Sequence, residues 1–87
     1  MISVKEAAKN AYEYMKEIPG YENNENIAVE EVELSEEEST AKKYWLITIG
    51  YPVGFNILQP TSRSKEYKIF KVDADTGEVI SMKIRNI

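Results

Sequence analysis

The chain has 87 residues, with 11 Lys or Arg against 15 Asp or Glu, and a domain of this size buries roughly 60–65% of the surface its unfolded chain exposes, enough for one core and no second lobe. It contains no histidine and no cysteine, which excludes disulfides, thiolate chemistry, Ser-His-Asp and Cys-His arrangements and the common zinc sites. The net charge of −4 splits into −8 over residues 1–41 and +4 over residues 42–87, and an overall acidic chain is a poor nucleic-acid binder.

The start, MISVKEAAKN, lacks the basic stretch and apolar run of a secretory signal, and no apolar segment approaches about 18 residues. A cytoplasmic protein without membrane contact is the expectation. Ser3-Val4-Lys5-Glu6 is a capping box, in which the Ser3 hydroxyl accepts the Glu6 N–H and opens a helix. Val4, Ala7, Ala8, Ala11, Tyr12, Met15 and Ile18 then recur at three- and four-residue steps and form one apolar stripe, ended by Pro19-Gly20. Its alanines let the helix lie close on a sheet. A stripe so poor in large apolar groups, opposite a face of mixed charge, does not suit a membrane surface.

Residues 21–26 are a polar connector. Residues 27–34, IAVEEVEL, read as a strand whose alternation breaks at Glu30-Glu31, the mark of a β-bulge on an edge strand. Residues 35–41 read as an acidic turn, followed by Lys42 and Lys43, which offset the glutamates across the ladder. Residues 44–51, YWLITIGY, form the strongest strand: Trp45, Ile47, Ile49 and Tyr51 face the helix, and Tyr44, Leu46 and Thr48 face away. The 52–65 connection is long for a hairpin, and its Val53, Phe55, Ile57 and Leu58 are expected to cover the open end of the core.

Residues 66–84 read as a second hairpin, closed by a three-residue loop Asp75-Thr76-Gly77 with Gly77 at positive φ. Ala74 then pairs with Glu78, Asp73 with Val79, Val72 with Ile80, Lys71 with Ser81, and so on to Tyr67 with Arg85. This register sends Phe70, Val72, Ile80, Met82 and Ile84 inward, with Lys68 the one polar group among them. The chain is therefore predicted to be a single α+β domain, 1–87, with one N-terminal helix packed on a four-stranded antiparallel meander.

The run Tyr67-Lys68-Ile69-Phe70-Lys71-Val72-Asp73-Ala74-Asp75-Thr76-Gly77-Glu78-Val79-Ile80, behind a capped helix, an acidic strand and an aromatic strand, resembles the PepSY domain and its PepSY-like relatives. The resemblance implies a non-catalytic inhibitory or binding role, since such domains usually sit in secreted or membrane proteins, often attached to a peptidase. Small bacterial immunity proteins end in a comparable Asp-x-x-x-Gly-Glu hairpin and imply an antitoxin role instead.

From the residues themselves, the outward set is Tyr44, Leu46, Tyr67, Ile69 and Val79 beside Lys71, Lys83 and Arg85. Aromatic and aliphatic groups next to cations have the composition of a surface that contacts a protein partner or a second copy of the chain. The alternative is a small-ligand pocket between helix and sheet, opposite Trp45 and Phe70 and gated by 52–65. No catalytic residue, metal or cofactor is expected. Asp73-x-Asp75-x-Gly77 lacks the fifth-position oxygen ligand of a calcium loop, has Glu78 where the glycine belongs, and ends on Ile84 where the bidentate glutamate belongs.

Overall fold

The computed structural model describes residues 1–20, 27–53 and 64–85. One helix, α1 (Val4–Glu17), precedes four strands, β1 (Ala28–Glu37), β2 (Lys42–Val53), β3 (Ser64–Asp73) and β4 (Val79–Arg85). The strands are antiparallel neighbours in the order β1-β2-β3-β4, which is the α+β meander expected.

The capping box opens α1, with the Ser3 Oγ accepting the Glu6 N–H at 3.1 Å. At the other end the Ile18 N–H returns to the Met15 carbonyl at 3.1 Å before Pro19-Gly20 breaks the helix. Ala7, Ala11 and Met15 are buried against Ile47, Ile49 and Tyr51 of β2, Phe70 and Val72 of β3, and Ile27. Each large side chain in that cluster contributes about 1.5–3 kcal/mol by leaving water. Lys68 points into this side too, as expected, with its Nζ 5.7 Å from the centre of the Tyr51 ring.

β1 runs three residues further than the sequence suggests: Ser35, Glu36 and Glu37 pair with Tyr44, Lys43 and Lys42. Opposite charges across the ladder allow an acidic segment to stay in the sheet. The expected bulge is present, because the register shifts between Val29 and Glu31. β2 and β3 likewise extend to a Val53–Ser64 pair. The connector 21–26 and the rest of the long connection, with Phe55, Ile57 and Leu58, lie outside the described residues.

The β3–β4 turn holds four residues rather than three. The Gly77 N–H donates to the Asp73 carbonyl and the Asp73 N–H to the Glu78 carbonyl, both at 2.8 Å, so Asp73 closes the loop opposite Glu78. Val72 then pairs with Val79, and a register shift restores Lys71 to Ser81 and every later pair as far as Tyr67 and Arg85. The expected register is thus right from Lys71 outward and displaced by one residue next to the turn. The displacement exchanges two side chains. Val79, expected outside, packs against the core, while Ile80, expected inside, is 50% exposed. Ile84 shares a face with Lys68 but lies outside the core cluster and is largely exposed, because the helix meets β4 nearer the turn, at Val79 and Met82.

The helix is tied to this turn. The Ile2 N–H donates to the Ala74 carbonyl at 2.7 Å, Asn10 Nδ2 to the Gly77 carbonyl at 3.0 Å, and Trp45 Nε1 to the Ile2 carbonyl at 3.2 Å. The β1–β2 turn is closed in a similar way, with the Ala41 N–H on the Glu37 carbonyl at 2.8 Å. The left-handed position is Gly77 (φ 81°) in one turn and Ala41 (φ 58°) in the other.

Two substitutions test this reading by urea unfolding. Gly77→Ala is expected to cost at least about 1–2 kcal/mol, the strain of a left-handed L-residue, because a Cβ there would also lie 2.8 Å from Asn10 Nδ2. Ala41→Gly should stabilise the protein by about 0.5–1 kcal/mol, the relieved strain less the greater chain entropy of glycine.

Candidate functional site

The sheet face away from α1 is built by alternation. From β2 it takes Tyr44, Leu46 and Thr48, and from β3 Tyr67, Ile69 and Lys71, which pair across the ladder as Leu46 with Lys71 and Thr48 with Ile69. β4 supplies Lys83 opposite Ile69 and Arg85 opposite Tyr67. On β1 the bulge resets the phase, so Glu31 lies opposite Thr48 and Glu33 opposite Leu46.

Arg85 crosses this face. Its Nη1 donates to Glu31 Oε2 and, at 3.3 Å, to Thr48 Oγ1, joining one edge strand of the sheet to the other. The two residues lie on different rows of the ladder, Glu31 in line with Thr48 and Ile69, and Arg85 in line with Tyr67 and Gly50, so the bridge runs diagonally across three interstrand steps, about 14 Å in a flat sheet. Beneath the arginine lies a cleft of about 230 Å³ lined by Glu31, Glu33, Leu46, Thr48, Ile69 and Arg85. Leu46 and Ile69 give it an apolar floor, and its walls carry opposite charges.

A second patch adjoins it. Lys71 Nζ sits 4.1 Å from the centre of the Tyr44 ring and Lys42 Nζ 5.8 Å from it, so two cations flank one aromatic ring. Lys42 Nζ is also 2.9 Å from Asp73 Oδ2, while Asp73 Oδ1 accepts the Asp75 N–H at 2.8 Å and the Thr76 N–H at 3.2 Å. The Lys42 ammonium, followed by those two backbone donors, lowers the Asp73 pKa to about 2, and Asp73 in turn raises that of Lys42.

Of the side chains expected on this face, Leu46, Ile69 and Arg85 meet in the cleft, and Tyr44 and Lys71 meet in the adjoining patch. Tyr67 packs beside Gly50, where an added Cβ would lie 3.1 Å from its ring and 2.9 Å from Glu30 Cγ. Lys83 is exposed. Val79 does not belong to the set, since the four-residue turn rotates it into the core. Glu31, Glu33, Thr48 and Lys42 were not expected in the site. The in-phase pair Val32 and Leu34 carried the signal for the two glutamates, because residues alternating with an inward pair face outward.

Of the two side chains expected to line a pocket between helix and sheet, Phe70 belongs to the buried core cluster and Trp45 packs against it. An open groove of about 360 Å³ lies along the flank of the helix, between Asn10, Glu13, Tyr14 and Glu17 and the turn residues Gly77, Glu78 and Val79. The gating role expected of 52–65 falls mostly outside the described residues. Among those residues no cluster of three or more Asp or Glu is arranged to hold a metal ion, and no helix is long and apolar enough to cross a membrane. Comparison with protein families, curated proteins and solved structures found no match, so the PepSY-like pattern stands on the sequence alone.

The Asp73 contacts predict a pH dependence. The folded pKa, about 2, lies below the unfolded value of 3.8, so the charged carboxylate stabilises the fold above the unfolded value and that contribution fades as pH falls through 2. The stability gap between the wild type and Asp73→Asn, measured by urea unfolding, should be constant above about pH 5 and shrink steadily toward pH 2. A gap that holds its size down to pH 2 would assign the turn to the backbone alone.

Proposed function

We propose that this chain is a non-catalytic interaction domain that binds a protein partner on the outer face of its sheet. The cleft carries this reading, since apolar groups lie at its floor between glutamates on one side and an arginine on the other. Contact surfaces concentrate their energy in such places, where an aliphatic anchor enters a pocket whose polar rim excludes water. The Arg85–Glu31 bridge over the cleft is partly exposed, and exposed pairs hold by only about 0.2–1 kcal/mol. An incoming side chain can therefore displace it and bond to either partner. Tyr44 between Lys42 and Lys71 extends the surface with the aromatic and cationic groups that interfaces favour. The PepSY-like pattern of residues 67–80 adds a specific role for the contact, inhibition of a partner enzyme.

A photo-crosslinking residue at Leu46, incorporated in the native cell, is expected to give a discrete adduct that is absent when the same residue replaces Lys5 on the helix. Ile69→Lys should weaken the contact by on the order of 2 kcal/mol, about 30-fold, the loss typical of a central anchor. An adduct of twice the chain mass identifies the partner as a second copy. Identical adduct patterns at positions 5 and 46 would remove the basis for the reading.

A further inference from the structure

β1 is an edge strand, hydrogen-bonded only to β2 within the described sheet. Beyond the bulge, Glu31–Glu37 pairs with β2 in unbroken register, so among the described residues its other side presents an unbroken row of backbone donors and acceptors. Edge strands with such a row are usually short, broken or protected by lysine or proline. This one has seven regular residues, and on the helix side of the sheet its apolar groups are incompletely covered: Val29 is 41% exposed, Val32 45% and Leu34 42%. Its other face carries Glu31 and Glu33, and five of the ten residues of β1 are glutamates with no cation among them.

This chemistry selects what can cover the edge. A second copy pairing antiparallel about a two-fold axis at Val32 would set outer residues against outer residues, bringing Glu31 opposite the copy's Glu33 and Glu33 opposite its Glu31, and like charges directly opposite destabilise a ladder. A nucleic acid or an anionic membrane meets the same repulsion. An extended peptide segment that alternates apolar side chains with lysine or arginine meets none of it. Its apolar set would cover Val32 and Leu34, its cations would face Glu31 and Glu33, and its backbone would complete the ladder.

We propose that β1, over Glu31–Glu37, is a docking edge that takes a basic, amphipathic strand of another protein as a fifth strand of the sheet. Strand addition draws affinity from backbone hydrogen bonds and specificity from alternate side chains, and here the specificity resides in an apolar row on one face and a negative row on the other. The edge shares Glu31 and Glu33 with the outer-face cleft, but the backbone groups that would pair with the added strand lie along the open side of β1, so an absence of crosslinks at Leu46 leaves this inference standing.

The test uses the full chain and synthetic peptides of about eight residues, within the usual range of strand lengths. One alternates valine with lysine, one alternates valine with glutamate, one has the lysine–valine composition in two blocks, and one is the alternating basic peptide N-methylated at every second residue. Affinities are measured by titration, and sites of contact by amide chemical shifts and hydrogen exchange. The alternating basic peptide should bind tighter than the acidic and blocked peptides by on the order of tenfold or more. It should slow exchange at the outward amides of residues 31–37, and N-methylation should abolish both effects. Glu33→Lys, a change at an exposed position, should weaken the basic peptide roughly fivefold and strengthen the acidic one. Equal binding by the blocked peptide, indifference to N-methylation, protection confined to the cleft, or no binding by any peptide would each overturn the proposal.

Discussion

The carboxylate of Asp73 is the constraint on which the rest of the structure depends. It holds the Asp75 and Thr76 N–H groups of its own turn and the ammonium of Lys42 at the base of the neighbouring hairpin. With the turn fixed, the Ala74 and Gly77 carbonyls are presented to the Ile2 N–H and the Asn10 amide. The helix is thereby anchored just before its first turn and at its middle by contacts remote in sequence, and the flat Ala7–Ala11 side is laid on Phe70 and Val72. A helix of 14 residues is marginal by itself in water, so this docking and the burial that follows keep it formed.

Most of the architecture was legible because it rests on local chemistry. The capping box, the stripe of small residues, the alternation of Trp45, Ile47, Ile49 and Tyr51, and the broken phase at Glu30 each state their structure within a few residues. The turn beside Asp73 was not legible to the same degree. Asp75-Thr76-Gly77 is compatible with a three- or a four-residue loop, both of which place glycine at the left-handed position, and the apolar sorting of β4 tolerates either. Ala74 decides between them: it is completely buried, and its N–H and carbonyl bond to Lys43 and Ile2, partners that a view of the hairpin alone cannot supply.

The same reason explains how far the site could be read. Leu46 followed from the alternation of β2, and Ile69 and Arg85 from register, since both lie beyond the displaced step. What register cannot show is that an arginine on β4 reaches a glutamate on β1 from a different row of the ladder, because that depends on the twist accumulated between the two edges. Charge gave only a general indication. The acidic first half and the basic second half of the chain become, in the fold, an acidic edge strand set against lysines on β2 and an arginine from β4, and the asymmetry is only partly cancelled.

The part left uncancelled bears on how the sheet avoids pairing with itself. Glutamate is a poor strand former, yet β1 keeps five of them in ten residues, with Glu36 and Glu37 opposite Lys43 and Lys42. Glu33 lies opposite Leu46 instead, and it has no ion pair among the described residues. Placed along an open edge, such charges repel another copy of the same strand as effectively as the lysines more often found there. They differ from lysine in what they attract. An edge protected by negative charge remains open to a positively charged strand, and the incompletely covered Val32 and Leu34 beside it give that strand an apolar surface to bury.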